Sequence, residues 1–180
     1  MKKEIFQQIE IPDGVEADIE DNTLIVKGPE GENRRTFKTN RLDFEKKDGK
    51  IIIGSKQATK REKKMINTTA THIKNMILGV QKKFEYKLKI TFMHFPISVE
   101  IVDREFVIKN FLGEKIPRKA KILEGVDASI DKDIITIRSH DKEIAGQTSA
   151  NLEVATKIRN KDLRIFQDGI YIINKAGREI

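Results

Sequence analysis

The chain has 180 residues, 38% hydrophobic and 35% charged, which supplies the core of one ordinary domain or of two small ones. It has no cysteine, excluding disulfides, thiolate metal sites and a secreted disulfide scaffold, and no apolar run long enough to cross a bilayer. Lys and Arg outnumber Asp and Glu by 35 to 28, a net charge of +7 at a pI near 9.5, shared almost evenly between the two halves; this suits a polyanionic partner as well as a solvated, mildly basic surface.

Met1-Lys2-Lys3-Glu4 leads into alternating residues instead of an apolar signal segment, and a cytoplasmic protein is expected. Asp21-Asn22 sits between short β-rich runs, as a hairpin turn does, and Gly28-Pro29-Glu30-Gly31 predicts a longer loop. Thr59 followed by Glu62 makes a capping box, so a helix starts near Lys60. Ile66, Thr69, Ile73, Ile77 and Val80 follow at helical spacing, with Gly79 as the stop. Tyr86, Leu88, Ile90 and Phe92 alternate with polar residues and predict a half-buried strand that fixes one domain against the other. Asp103-Arg104 is a second hairpin turn. Asp141 caps a second helix, with a weaker stripe of Ile144, Thr148, Ala155 and Ile158 reaching Asn160. Leu163-Arg164-Ile165-Phe166 and Ile170-Tyr171-Ile172-Ile173 form a terminal hairpin around Gln167-Asp168-Gly169, the glycine supplying a positive backbone angle.

These elements repeat. Ala17 to Lys27 parallels Val99 to Lys109 at an offset of 82 residues, the spacing that also relates Gly31 to Gly113, and Asp48-Gly49-Lys50-Ile51 parallels Asp131-Lys132-Asp133-Ile134 at an offset of 83. The expected architecture is α+β: two duplicated small domains, 1–82 and 83–180, each an antiparallel sheet with a helix packed on one face. No dinucleotide or phosphate-loop glycine fingerprint occurs.

Catalysis would require a nucleophile, a base and an electrophile stabiliser in one place. The three histidines do not supply them. His72 lies off the apolar stripe of its helix and reads as a surface residue, and His94 before Phe95-Pro96 reads as structural. His140-Asp141 is the one tempting pair, but Asp141 is accounted for as a cap. The carboxylates are scattered among lysines, and no metal-ligand spacing appears. No catalytic residue, cofactor or metal is expected. Two basic clusters carry more information. Lys56, Lys60, Arg61, Lys63 and Lys64 gather at the start of the first helix and read as an exposed face. Lys157, Arg159, Lys161 and Arg164 follow the second helix, with Lys175 and Arg178 beyond, and read as a surface for an RNA backbone.

Arg164-Ile165-Phe166-Gln167-Asp168-Gly169-Ile170-Tyr171-Ile172-Ile173-Asn174-Lys175 resembles the C-terminal signature of large-subunit ribosomal protein six, in its archaeal and eukaryotic branch. His94-Phe95-Pro96 and Asn110-Phe111-Leu112-Gly113-Glu114-Lys115 resemble further segments of that branch, so the likeness covers essentially the whole chain. Val154 departs from it, standing where the signature begins with glutamine, so no polar side-chain contact is expected there. The resemblance implies a structural protein of the large ribosomal subunit that binds 23S-type rRNA, mainly through its C-terminal domain. It implies a place near the sarcin–ricin loop, with translational GTPases nearby and neighbouring ribosomal proteins against the N-terminal domain. No membrane or small-molecule substrate is implied. The RNA-facing positions it carries over are Arg138, Ser139, His140, Lys142, Gly146 and Gln147, with Arg159, Asn160, Lys161, Arg164 and Lys175 on the same surface. Gly113, Lys115 and Arg118 join from the preceding loop. Two other readings stay open on the residues alone: a duplicated basic module that meets an acidic protein, and an RNA-processing enzyme using His140 and Asp141.

Overall fold

The computed structural model describes residues 3–37, 42–47 and 49–180, so Met1, Lys2 and Asp48 of the sequence argument lie outside the described residues. The chain divides into two compact units, Met1–Lys83 and Phe84–Ile180.

The first unit runs through strands β1 (Lys3–Glu10), β2 (Glu16–Glu20), β3 (Thr23–Gly28), β4 (Gly31–Thr36), β5 (Asp43–Lys47) and β6 (Lys50–Ala58), then helix α1 (Lys60–Gln81). Two antiparallel sheets result, ordered β1-β6-β5 and β2-β3-β4. Helix α1 begins where the sequence places it. The Thr59 hydroxyl accepts from the Arg61 amide, and the Glu62 carboxylate accepts from the Thr59 amide at 3.0 Å. Its buried stripe of Ile66, Ala70, Ile73, Ile77 and Val80 meets Leu24, Val26, Ile51 and Ile53 from the sheets. Each fully buried aliphatic side chain there contributes about 1.5–3 kcal/mol, and Ile73→Ala in the middle of the stripe would cost roughly 2–5 kcal/mol.

Two local expectations fail in this unit, for one reason. Gly28 pairs directly with Gly31, so Pro29-Glu30 is a two-residue turn and not a longer loop. The helix also passes Gly79 and ends at Gln81. The turn is pulled against the helix end. The Glu30 amide donates to the Val80 carbonyl at 2.9 Å, and a Cβ at Gly28 would lie 2.8 Å from that same oxygen. Gly28 thus permits a close backbone approach that keeps the last turn helical.

The second unit contains β7 (Phe84–Thr91), β8 (Ser98–Val102), β9 (Glu105–Lys109), a 3-10 turn at Phe111–Gly113, β10 (Arg118–Lys121), β11 (Asp127–Asp131), β12 (Ile134–Ser139), helix α2 (Lys142–Ala155), β13 (Gly169–Lys175) and β14 (Arg178–Glu179). Its sheets are ordered β10-β9-β8 and β11-β12-β7-β13-β14, all antiparallel. The order β1-β6-β5 recurs as β7-β12-β11, and the β2-β3-β4 meander recurs as β8-β9-β10. Duplication is therefore visible in topology, with β13 and β14 added beyond β7 in the second copy only. The duplicated α+β class read from the sequence is the observed one. Tyr86, Leu88 and Ile90 of β7 are buried as their alternation requires, whereas Phe92 is exposed because the strand ends at Thr91. Helix α2 is capped by Asp141, whose Oδ1 accepts from the Glu143 amide at 2.8 Å. It buries Ala145, Thr148, Ser149 and Leu152 and ends at Ala155, five residues short of Asn160.

The terminal hairpin is not where the sequence suggests. Leu163–Ile165 form a turn, because the Asp162 carbonyl accepts from the Ile165 and Phe166 amides and its carboxylate accepts from the Arg164 amide. The real hairpin is β13 and β14 around Ala176-Gly177. Gly169 is strand residue, not turn, and the residues with positive φ do not include it. A Cβ there would lie 2.9 Å from Cζ of the Tyr171 ring, so the glycine makes room for that ring.

Candidate nucleic-acid interface

Helix α2 has 14 residues and so spans about 21 Å. The sequence-derived positions fall at its two ends and on the far side of its sheet, not on one surface.

The N-terminal end gathers Lys142, Gly146, Gln147, His140 and Lys175. Lys142 extends its Nζ over the Phe84 ring, 5.6 Å from the centroid. Gly146 passes over Tyr86, where a Cβ would lie 3.3 Å from the phenolic oxygen. Burial pushes the Tyr86 hydroxyl above its ordinary pKa, and that hydroxyl reaches the Lys142 carbonyl at 3.5 Å. Lys175 reaches this end through a bulge. The β13–β7 register shifts between Ile172 and Asn174, which sets Lys175 opposite Tyr86 on the helix side of the sheet. Gln147 is exposed and donates to Asn151 at 2.8 Å.

Two carried-over positions do not join this surface. Ser139 is 1% exposed, donates to the Gly125 carbonyl at 2.8 Å and accepts from the Asp141 amide, so its hydroxyl positions the helix start. Arg138 alternates with buried Ile137 and Ser139 and therefore lies on the sheet face turned away from α2. Its guanidinium grips Glu85 at 2.6 and 2.7 Å, and this bonding, with Lys87 adding to it, holds the Glu85 carboxyl below its ordinary pKa.

At the C-terminal end of α2 an open groove is walled on one side by Leu112, Glu114, Arg118 and Lys119 and on the other by Val154, Lys157, Arg159 and Lys161. Lys157, Arg159 and Lys161 are exposed and make no ion pair among the described residues. The Lys161 Nζ lies over the Phe166 ring, 4.6 Å from its centroid, while the residue stays exposed. Asn160 takes a left-handed conformation, φ 58°, that turns the segment. Lys119 is paired with Glu105 at 3.1 Å. Arg164 is nine-tenths exposed and pairs with Asp162 at 3.1 Å, holding that carboxyl below its ordinary pKa. Val154 is exposed and adds apolar surface to the wall. Lys115 is exposed on the facing loop, and Gly113, φ 77°, presses toward the Phe95 ring.

Thr156 escaped sequence reasoning. It is buried, its hydroxyl lies 3.2 Å from the Glu153 carbonyl, and it accepts from the Ile170 amide at 3.0 Å. It ties the end of α2 to β13 and so fixes where the groove cations start. A single threonine carries no pattern that would have revealed this.

The described residues contain no cluster of His, Cys, Asp and Glu able to hold a metal ion, and no helix long and apolar enough to cross a membrane. His140 directly precedes Asp141, whose carboxylate is taken up as the cap of α2. Two units built on one topology, with exposed cations beyond the end of the second helix that make no ion pair among the described residues, define a duplicated α+β protein suited to binding a polyanion. The family model described as "Ribosomal protein L6" matches residues 11–83 and again 95–169, once in each unit. Large ribosomal subunit protein uL6 of Methanothrix thermoacetophila is 45% identical over 175 residues, covering 97% of this chain and 99% of that protein. Its counterpart in Methanobrevibacter smithii is 46% identical over 171 residues, 95% of this chain and 96% of that one, and the one in Methanosarcina mazei is 43% identical over 176, 98% and 100%. The chain belongs to the ribosomal protein L6 family, in its archaeal branch. It is accordingly not an enzyme, and the RNA-processing reading built on His140 and Asp141 falls away.

Proposed function

We propose that the chain is a structural constituent of the large ribosomal subunit in the cytoplasm, and that its second unit binds 23S-type rRNA near the sarcin–ricin loop and the translation-factor region. The first unit meets neighbouring ribosomal proteins, and translational GTPases work nearby. The observation that carries this reading is the groove beyond α2, where Lys157, Arg159 and Lys161 have no acidic partner among the described residues and stand on a segment fixed by Thr156. Cations on a backbone fixed this way neutralise phosphates and release their counterions with less ordering cost than the same residues on a loose loop. Lys142 and Lys175, about one helix length away, give a second point of contact, and two such points orient the unit on an RNA fold.

The test is a mobility-shift comparison of the full chain with two transcripts of equal length, one containing the sarcin–ricin domain of the large-subunit rRNA and one drawn from another domain. Tighter binding to the first supports the placement. Equal binding to both would leave charge alone and sink the placement.

A further inference from the structure

The Glu114–Arg118 pair sits inside the cationic groove, and a carboxylate there is out of place if every charge serves phosphate. Each of the three nitrogens of the Arg118 guanidinium already makes one hydrogen bond, three of its five N–H donors in all. Its Nε and Nη2 donate to the two Glu114 oxygens at 2.8 and 2.6 Å, and its Nη1 donates to the Ala155 carbonyl at 2.9 Å. Its face lies 4.2 Å from the centroid of the buried Phe111 ring. Ala155 is the last residue of α2, one of the carbonyls a helix leaves without an internal partner, and the last turn of α2 has no basic residue of its own. Arg118, on β10, supplies the missing donor.

The loop it holds is strained. Asn110, Leu112 and Gly113 have φ of 59°, 51° and 77°, two of them non-glycine residues in the left-handed region. Such conformations persist only where surrounding contacts over-determine them. Here those contacts are the burial of Phe111, the Asn110 side-chain bond to the Pro96 carbonyl at 3.1 Å, and the Arg118 clamp.

We propose that Arg118, held by Glu114, is a positioning residue that fixes the two walls of the groove against each other and so sets RNA affinity without itself contacting phosphate. This rests on the rRNA reading above. Replacing Arg by Lys keeps the charge but loses the planar fork and the stacking, so the substitution separates position from charge. Glu114 separates them by sign. If charge alone mattered, removing a carboxylate would strengthen polyanion binding, whereas loss of a holder weakens it. The depressed pKa of Glu114, caused first by its bond to Arg118, keeps the holder ionised at neutral pH.

The experiment measures binding of the full chain to the sarcin–ricin domain transcript across a salt series for wild type, Arg118→Lys, Glu114→Gln and Lys161→Ala. Hydrogen exchange of the free proteins at the Thr156 and Lys157 amides, bonded to the Glu153 and Val154 carbonyls, is followed alongside. The expected result is about three- to tenfold weaker binding for both Arg118→Lys and Glu114→Gln at an unchanged salt slope. Exchange at those amides should be faster in both. Wild-type affinity in Arg118→Lys, tighter binding in Glu114→Gln, or unaltered exchange in both would overturn the proposal. If wild type shows no preference for the transcript and Lys161→Ala changes nothing, the rRNA reading has failed instead, and exchange in the free proteins still decides whether Arg118 holds the wall.

Discussion

Replacing Lys157, Arg159 and Lys161 together by alanine tests the groove most sharply. Only these three are counted, because Lys119 is paired with Glu105, and Arg118 is paired with Glu114 and bonded to the Ala155 carbonyl. Each phosphate contact contributes about 0.7–0.9 to the slope of log affinity against log salt, so the triple variant should lose roughly 2–3 units of slope. Between about 50 and 200 mM salt, wild-type affinity should then fall roughly 20- to 40-fold further than that of the variant. The variant should bind weakly in low salt and converge on wild type as salt rises. Filter binding to the sarcin–ricin domain transcript, with unfolding midpoints as a check that the variant is intact, measures this. Parallel salt plots for the two proteins would refute the argument, and a slope change confined to Lys142→Ala and Lys175→Ala would move the contact to the other end of α2.

Thr148 has a fully buried hydroxyl with no hydrogen-bond partner among the described residues, so Thr148→Val should stabilise the protein by about 1 kcal/mol, read as a higher urea midpoint at unchanged slope; a lower midpoint would contradict this. Asp168 is 4% exposed and its Oδ1 accepts from the Met93 amide at 2.7 Å, joining the entrance of β13 to the end of β7. Asp168→Ala strands that amide and should cost about 1–3 kcal/mol, with loss of exchange protection at Met93. The Arg138–Glu85 pair stabilises the fold above the ordinary glutamate pKa, and that contribution disappears as pH falls through the depressed folded-state value. Arg138→Gln should therefore melt lower than wild type at pH 7, by a modest margin because both groups are partly solvated, and the gap should close in acid. A gap independent of pH would assign the effect to packing.

What the sequence revealed depended on how local each cause is. The Thr59 capping box, the Asp141 cap and the alternation in β7 are short-range patterns, each visible in a few consecutive residues, and the duplication is visible because such short stretches recur at an offset of 82. The tight turn at Pro29-Glu30 was missed because its cause, the Val80 carbonyl, lies 50 residues downstream. Leu163 to Phe166 has the composition of a strand, but Asp162 satisfies the following amides first, leaving Leu163 and Ile165 exposed. The cations of the candidate interface were legible as a cluster, yet not their division between the ends of α2. A bulge that re-aims Lys175 and a burial phase that turns Arg138 away leave no mark in composition. The bonds of Arg118 to the Ala155 carbonyl and against the Phe111 ring could not be read from the sequence, because folding alone brings those partners to it.

The central claim is that this protein is held in the large ribosomal subunit by rRNA. Sedimentation of the tagged, folded chain from a lysate on a sucrose gradient at moderately high salt tests it most directly. The account predicts migration with the large subunit, converted by RNase to slow sedimentation. Slow sedimentation with or without RNase would contradict it and favour a basic module that meets an acidic protein.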